Sequence, residues 1–215
     1  MYVPEYFKPD DESVRDLLLH HGAVDLVTTT PDGLRATMLP MIYVEPDASL
    51  PEAPLGLLRG HFARKNDHWK QRVIGEAMAI VRGVDGYITP SWYQTKREHG
   101  RVVPTWNYIT AHVYGTLSVH DDCEWVERNV RALTAKHEAE RRSQWHVDDA
   151  PAAYVTGQLR AIVGVELAIS RIDAKYKLSQ NRSDEDVAGV VAGLEADDRT
   201  SMADAVRSAP RTQRS

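Results

Sequence analysis

The stretch from Val24 to Val44 restricts the fold most. A run rich in β-branched residues, Val24 to Thr30, and a second of strand character, Leu34 to Val44, flank the tetrapeptide Thr30-Pro31-Asp32-Gly33. Proline presets φ inside a turn and glycine is free to take positive φ, so the two runs are expected to pair as an antiparallel hairpin. Pro40 removes one N–H from the second run, which suits a sheet edge or a bulge rather than a central strand. Further strand signals follow. Leu55 to Phe62 is one, and Glu76 to Arg82 and Gly86 to Thr89 read as two pieces around the hairpin-grade turn Gly83-Val84-Asp85-Gly86. Ala111 to His120, Val165 to Ile172 and Lys175 to Leu178 bring the total to at least six.

Helical patterns occupy the remaining segments. Asp10 to Gly22 opens with carboxylates and closes on glycine, and Asn66 can cap a short helix through Arg72. Asp122 to Arg142 carries Trp125, Val126, Val130, Leu133 and His137 on one side, and Pro151 sits near the start of a helix to about Val163. Ser183 starts another, which Gly189 and Gly193 are expected to weaken. From about Asp198 the chain reads as a loose helix and then disorder. Antiparallel strands with segregated helices indicate an α+β barrel. The expected organisation is a barrel domain with a C-terminal helical extension over residues 1–195 and a flexible tail over 196–215.

Charge and cysteine usage narrow the partners. Lys and Arg number 26 against 31 Asp and Glu, a net charge of -5, the wrong sign for a surface that grips nucleic acid throughout. DNA binding is therefore supported by neither charge nor motif, although a local basic patch stays open. Cys123 is the only cysteine, so neither an intrachain disulfide nor a cysteine zinc cage can form. No run approaches the roughly 18 apolar residues of a membrane span, and the N-terminus lacks the basic-then-apolar order of a signal peptide. The expectation is a soluble cytoplasmic protein.

Three segments carry chemistry. Arg59-Gly60-His61-Phe62-Ala63-Arg64-Lys65-Asn66 ends a strand at a helix start, where free N–H groups and cationic side chains favour a phosphate. The plainer reading is a solvated basic turn with His61 packed in the sheet. Pro90 to Pro104 reads as a long loop, and Ser91, Trp92, Tyr93 and Lys96, with Trp106, Asn107 and Tyr108 beyond it, offer stacking faces and hydrogen bonds for a flat heteroaromatic cofactor. Such aromatics also serve simply to anchor a loop to a core. Lys177-Leu178-Ser179-Gln180-Asn181-Arg182 alone is a polar turn. There is no P-loop, no G-x-G-x-x-G and no G-x-S-x-G, and the acidic neighbours of Cys123 disfavour its thiolate.

Taken together, Met1-Tyr2-Val3-Pro4, Asp32-Gly33-Leu34, Leu58-Arg59-Gly60-His61, Tyr87 to Tyr93, Val103 to Tyr108 and Lys177 to Arg182 occur in an order that resembles the PaiB-type FMN-binding negative transcriptional regulators. The resemblance covers about residues 1–195. It implies a dimeric antiparallel split β-barrel with peripheral helices, similar to pyridoxamine-phosphate-oxidase-like proteins, holding FMN at the subunit interface. It further implies that His61, Arg64 and Asn66 lie near the phosphate or ribityl end, Ser91, Trp92, Tyr93 and Lys96 along the cofactor, and Trp106, Asn107 and Tyr108 at the same interface. A branch similar in fold, the piperazate synthases, is implied to use haem b and to form a nitrogen–nitrogen bond, which would make His61 an axial ligand. Three functions follow: a flavin-binding regulator, an FMN oxidoreductase, or a haem enzyme. No catalytic residue is assigned, Tyr93, Lys96 and His99 being the acid–base candidates.

Overall fold

A computed structural model describes residues 1–48 and 50–211. The chain forms two compact units, each assembled from separate stretches. The barrel unit comprises residues 15–81 and 112–173, and the helical unit comprises 1–14, 82–111 and 174–215.

β1 (Ala23–Thr30) and β2 (Gly33–Val44) form the expected hairpin, registered from Thr30↔Gly33 to Ala23↔Pro40. Gly33 takes φ 106°, the left-handed value that the turn demands. β3 (Leu57–Ala63), β4 (Ala77–Ile88), β5 (Thr105–His120) and β6 (Ile162–Lys177) complete a closed barrel in the order β1-β2-β3-β6-β5-β4. Alternation along the strands sends Leu26, Met41, Leu58, Phe62, Val165 and Leu167 into its core, each essentially fully buried. α1 (Asp11–His20) contributes Leu18 to this core. α3 (Cys123–Glu138) packs on β2 and β3, and Asn129 donates to the Gly60 carbonyl at 3.1 Å. Gly164 on β6 leaves room for the Trp125 ring, which stacks on His120 with centroids 4.2 Å apart. α4 (Ala152–Leu159) leads back into β6.

Two pairs of expected strands are each one strand. Residues 77–88 run without the hairpin turn expected at Gly83 to Gly86, and 162–177 run unbroken. Gly86 is small for another reason: a Cβ there would meet the Arg199 guanidinium at 2.9 Å, and Arg199 donates to the Asp85 carbonyl at 2.7 Å.

The helical unit has its own core of Ile88, Tyr93, Leu178, Val187, Val190, Leu194, Met202 and Val206. Its helices are α2 (Thr95–His99), α5 (Asp184–Ala196) and α6 (Thr200–Ser208). The expected long loop after Thr89 is instead a 3-10 turn (Pro90–Trp92) followed by α2, so only residues 93–94 and 100–104 lack regular structure there. Gly189 and Gly193 form the seat of Trp92, since a Cβ at either would collide with its backbone or indole ring. Within the expected tail, α6 buries Met202, Ala203 and Val206, while residues 212–215 lie outside the described residues.

Candidate functional site

β3 leaves β2 early. The two pair from Val44↔Leu57 to Met41↔Gly60, after which His61, Phe62 and Ala63 continue with β6 alone. Among the described residues, positions 33–40 of β2 thus have β1 on one edge and no strand on the other. Unpaired backbone donors on such an edge need a partner. Here a polar depression of about 400 Å³ is lined by Asp32, Leu34, Arg35, Ala36, Thr37, Asn66 and His68. Asn66 reaches it from the turn after β3. Its side-chain oxygen accepts from the His68 N–H at 3.0 Å, capping the 3-10 turn over Asp67–Lys70, and its amide donates to Thr37 Oγ1 at 3.4 Å. The His68 ring is hydrogen-bonded at 2.8 Å to Thr37 Oγ1 through Nδ1 and at 2.8 Å to Thr28 Oγ1 through Nε2. Burial, aided by the Arg35 charge, holds its pKa below the usual imidazole value, so His68 is neutral at neutral pH. Arg35 itself donates to Asp67 at 3.2 Å. A guanidinium, an amide and a hydroxyl, with the Asp32 carboxylate at the rim, make a polar seat in which an anion can be held.

His61 faces elsewhere. It lines a shallower depression of about 290 Å³ with Pro40, Leu133, Thr134, His137, Glu138 and Trp145. Burial lowers its pKa, and its Nδ1 is buried without a hydrogen-bond partner. Arg64 is engaged by the protein: Nε donates to the Arg160 carbonyl at 2.7 Å, Nη2 to the Ile162 carbonyl at 3.0 Å, and Nη1 and Nη2 to the Asp121 carboxylate at 3.0 and 2.5 Å. Of the three residues expected at the phosphate end, Asn66 alone lines the polar depression. Arg35 and Thr37, which no sequence motif singles out, stand beside it. Pro40 is the available clue: it marks an edge segment, and Arg35 and Thr37 are the polar i, i+2 pair within it.

In the helical unit Trp92 and Tyr93 are packed rather than free. Trp92 fills the glycine seat on α5, and Tyr93 is buried with the Arg182 guanidinium 4.5 Å from its ring centroid. Asn107 is fully buried and donates to Ser179 Oγ at 2.8 Å. Others stay accessible. Lys96 donates to the exposed Ser91 hydroxyl at 3.2 Å, and the half-exposed Trp106 donates from its indole to Asp85 at 2.8 Å. Lys175 lies 5.7 Å from the Tyr108 ring centroid. Lys177 donates to Thr105 and to the Trp106 carbonyl, with its pKa lowered by burial and by the neighbouring Lys175 and Arg182. His99 sits in the last turn of α2, where its Nδ1 accepts from the Arg101 N–H at 3.0 Å.

A family model described as "Putative FMN-binding domain" matches residues 1–171. The Bacillus subtilis protein "Protease synthase and sporulation protein PAI 2" is 31% identical over 197 residues, covering 91% of this chain and 89% of that one. Among solved structures, an FAD and haem binding protein from Mycobacterium smegmatis superposes with a TM-score of 0.58 at 17% identity, covering 86% of this chain and 80% of that one. The flavocytochrome Anf3 from Azotobacter vinelandii gives 0.55 at 14% identity, with 87% and 78% covered. At these identities the structures speak for the split-barrel fold alone. No helix among the described residues is long and apolar enough to cross a membrane.

Proposed function

The chain belongs to the PaiB-type family of FMN-binding domains and takes FMN as its cofactor; from that premise we propose that it is a flavin-linked redox protein seating the FMN phosphate in the polar depression of the barrel unit. One observation carries the reading: the unpaired edge of β2 at residues 33–40 lies in the same depression as Arg35, Thr37 and Asn66. In this reading Arg35 supplies charge-assisted donors, Asn66 an amide donor, and Thr37 a hydroxyl whose orientation the neutral His68 sets. Lys65, on the same turn, adds positive potential. FMN when bound supplies reversible one- and two-electron chemistry, while the protein contributes binding, orientation and electrostatics. Within the helical unit Ser91, Lys96, Trp106 and Tyr108 stay accessible, and Trp92, Tyr93 and Asn107 hold the frame that presents them. His61 and Arg64 act outside the phosphate seat. We further place the complete flavin site in a homodimer, because the β2 edge leaves apolar side chains uncovered. A net charge of -5 favours a redox output over groove-reading DNA contact.

The test is titration with FMN and with riboflavin, followed by flavin fluorescence. Wild type should prefer FMN, and Arg35→Ala should lose about 1.5–3 kcal/mol of FMN affinity, tenfold or more, with riboflavin affinity nearly unchanged. An Arg35→Ala protein that still prefers FMN by the wild-type margin would overturn the assignment.

A specific observation supports a second reading, haem b. The His61 imidazole is neutral and sits with Pro40, Leu133 and Trp145 in a partly apolar depression distinct from the phosphate seat. A neutral imidazole on apolar walls suits an axial ligand. Purified protein supplied with both cofactors would show a Soret band in wild type and none in His61→Gln if this reading holds.

A further inference from the structure

We propose that Arg64 is a positioning residue for the cofactor turn, fixed by Asp121, and that it does not contact the FMN phosphate. This rests on the phosphate seat at Arg35 and Asn66. The turn from Ala63 to Asn66 is tied on two sides. On one side, the Arg64 N–H donates to the Ala161 carbonyl at 2.8 Å, and its guanidinium reaches the carbonyls of Arg160 and Ile162 as well as both oxygens of Asp121. On the other, Asn66 bonds Thr37 on β2 and caps the 3-10 turn that carries His68. Trp69 adds a hydrogen bond from its indole N–H to the Arg64 carbonyl at 3.1 Å.

The geometry decides what this guanidinium can do. A planar fork matched bidentately to a carboxylate is already satisfied by an anion, and its Nε is taken by a carbonyl. The Asp121 pKa is held below the usual carboxylate range by those hydrogen bonds, so the carboxylate stays charged and keeps its partner. For Arg64 to meet a phosphate, it would have to leave Asp121 and two carbonyls. Arg35 already lines the depression and is held there by a single hydrogen bond to Asp67 at 3.2 Å, against the four that hold the Arg64 guanidinium. The structural consequence falls on Asn66, two residues on, which stays within reach of Thr37 only while the turn is held.

Asp121→Asn gives opposite signs for the two possible roles, since it removes the charge that retains Arg64 without changing side-chain size. A phosphate ligand would be released by this change, and FMN would bind more tightly. A positioning residue would lose its anchor, and FMN would bind several-fold more weakly. We expect Asp121→Asn and Arg64→Ala each to reduce the ratio of FMN to riboflavin affinity several-fold, and the double variant to be no worse than the weaker-binding single. A merely structural role would lower both affinities together and leave the ratio intact. Tighter FMN binding by Asp121→Asn, an unchanged ratio in both single variants, or additive losses in the double would each overturn the proposal. Circular dichroism melts identify variants whose fold is lost; for those, Arg64→Lys, which keeps charge but not the fork, is read in its place and should reduce the ratio too. Failure of the phosphate seat is separately visible as an unaltered ratio in Arg35→Ala.

Discussion

His21 shows how burial turns an ordinary titratable group into a pH liability. It is almost fully buried, its Nδ1–H donates to the Leu18 carbonyl at 2.6 Å, and the Lys136 ammonium donates to the His21 carbonyl at 2.6 Å. Desolvation first, and Lys136 second, push its pKa from 6.5 down to about 4. Between those values the unfolded chain binds a proton that the folded chain refuses, so stability is full above about pH 6.5 and falls as pH drops toward 4. The loss amounts to about 3 kcal/mol across that window. Urea denaturation at pH 7, 6 and 5 should show the decline, with a shallower slope in His21→Asn, whose amide retains the donor to Leu18. Identical slopes would assign the acid sensitivity to other groups. At this scale the sequence is only partly legible. Arg64 reads as free cationic charge from its neighbours alone, because its owner, Asp121, is distant in sequence and arrives only through folding. Arg35 is invisible for the converse reason, that a strand arginine matters only once its edge is known to be unpaired.

At the scale of elements, two glycine substitutions should move stability in opposite directions. Gly193 on α5 lies against the Trp92 ring, and a Cβ there would overlap the indole. Helix propensity alone would favour alanine by about 1 kcal/mol, but overpacking a well-filled contact costs about 1–3 kcal/mol, so Gly193→Ala should lower the melting temperature. Gly157 on α4 has open space where a methyl group would go, with nothing within 4 Å of that position, so Gly157→Ala should raise it. Thermal melts of the pair check this; a stabilised Gly193→Ala would mean that Trp92 is not seated there. The same glycines explain where sequence pattern and fold part. Alternation, turn chemistry and capping place the β1–β2 hairpin, β3, the Asn66 cap and α3 within a few residues. Gly83, Gly86, Gly189 and Gly193 look locally like turn or breaker signals, whereas Gly86, Gly189 and Gly193 make room for Arg199 and Trp92. Local rules cannot separate a glycine that bends the chain from one that admits a neighbour.

For the whole molecule, the uncovered part of β2 argues for a second copy of the chain. Leu34 is 76% exposed and Met38 70% exposed, and Ala36 and Pro40 are exposed between and beyond them on the same strand. A strand with one free edge and a row of exposed apolar side chains is an association site unless charge or bulk protects it, and this row carries neither. The same residues include Leu34 and Ala36 of the depression assigned to the phosphate, so an interface formed here would border the cofactor. Because both large side chains are already solvent-facing, Met38→Glu should change the stability of the single chain by no more than about 0.5 kcal/mol. Placed in a self-complementary interface, the same carboxylate meets its symmetry mate and is desolvated, a cost of several kcal/mol that a dimer of ordinary affinity does not survive. Sedimentation velocity at micromolar concentration should therefore find wild type as a dimer and Met38→Glu as a folded monomer, with FMN affinity reduced in the variant. A wild-type monomer that binds FMN fully would show that one chain completes the site, and a Met38→Glu dimer would move the interface off β2.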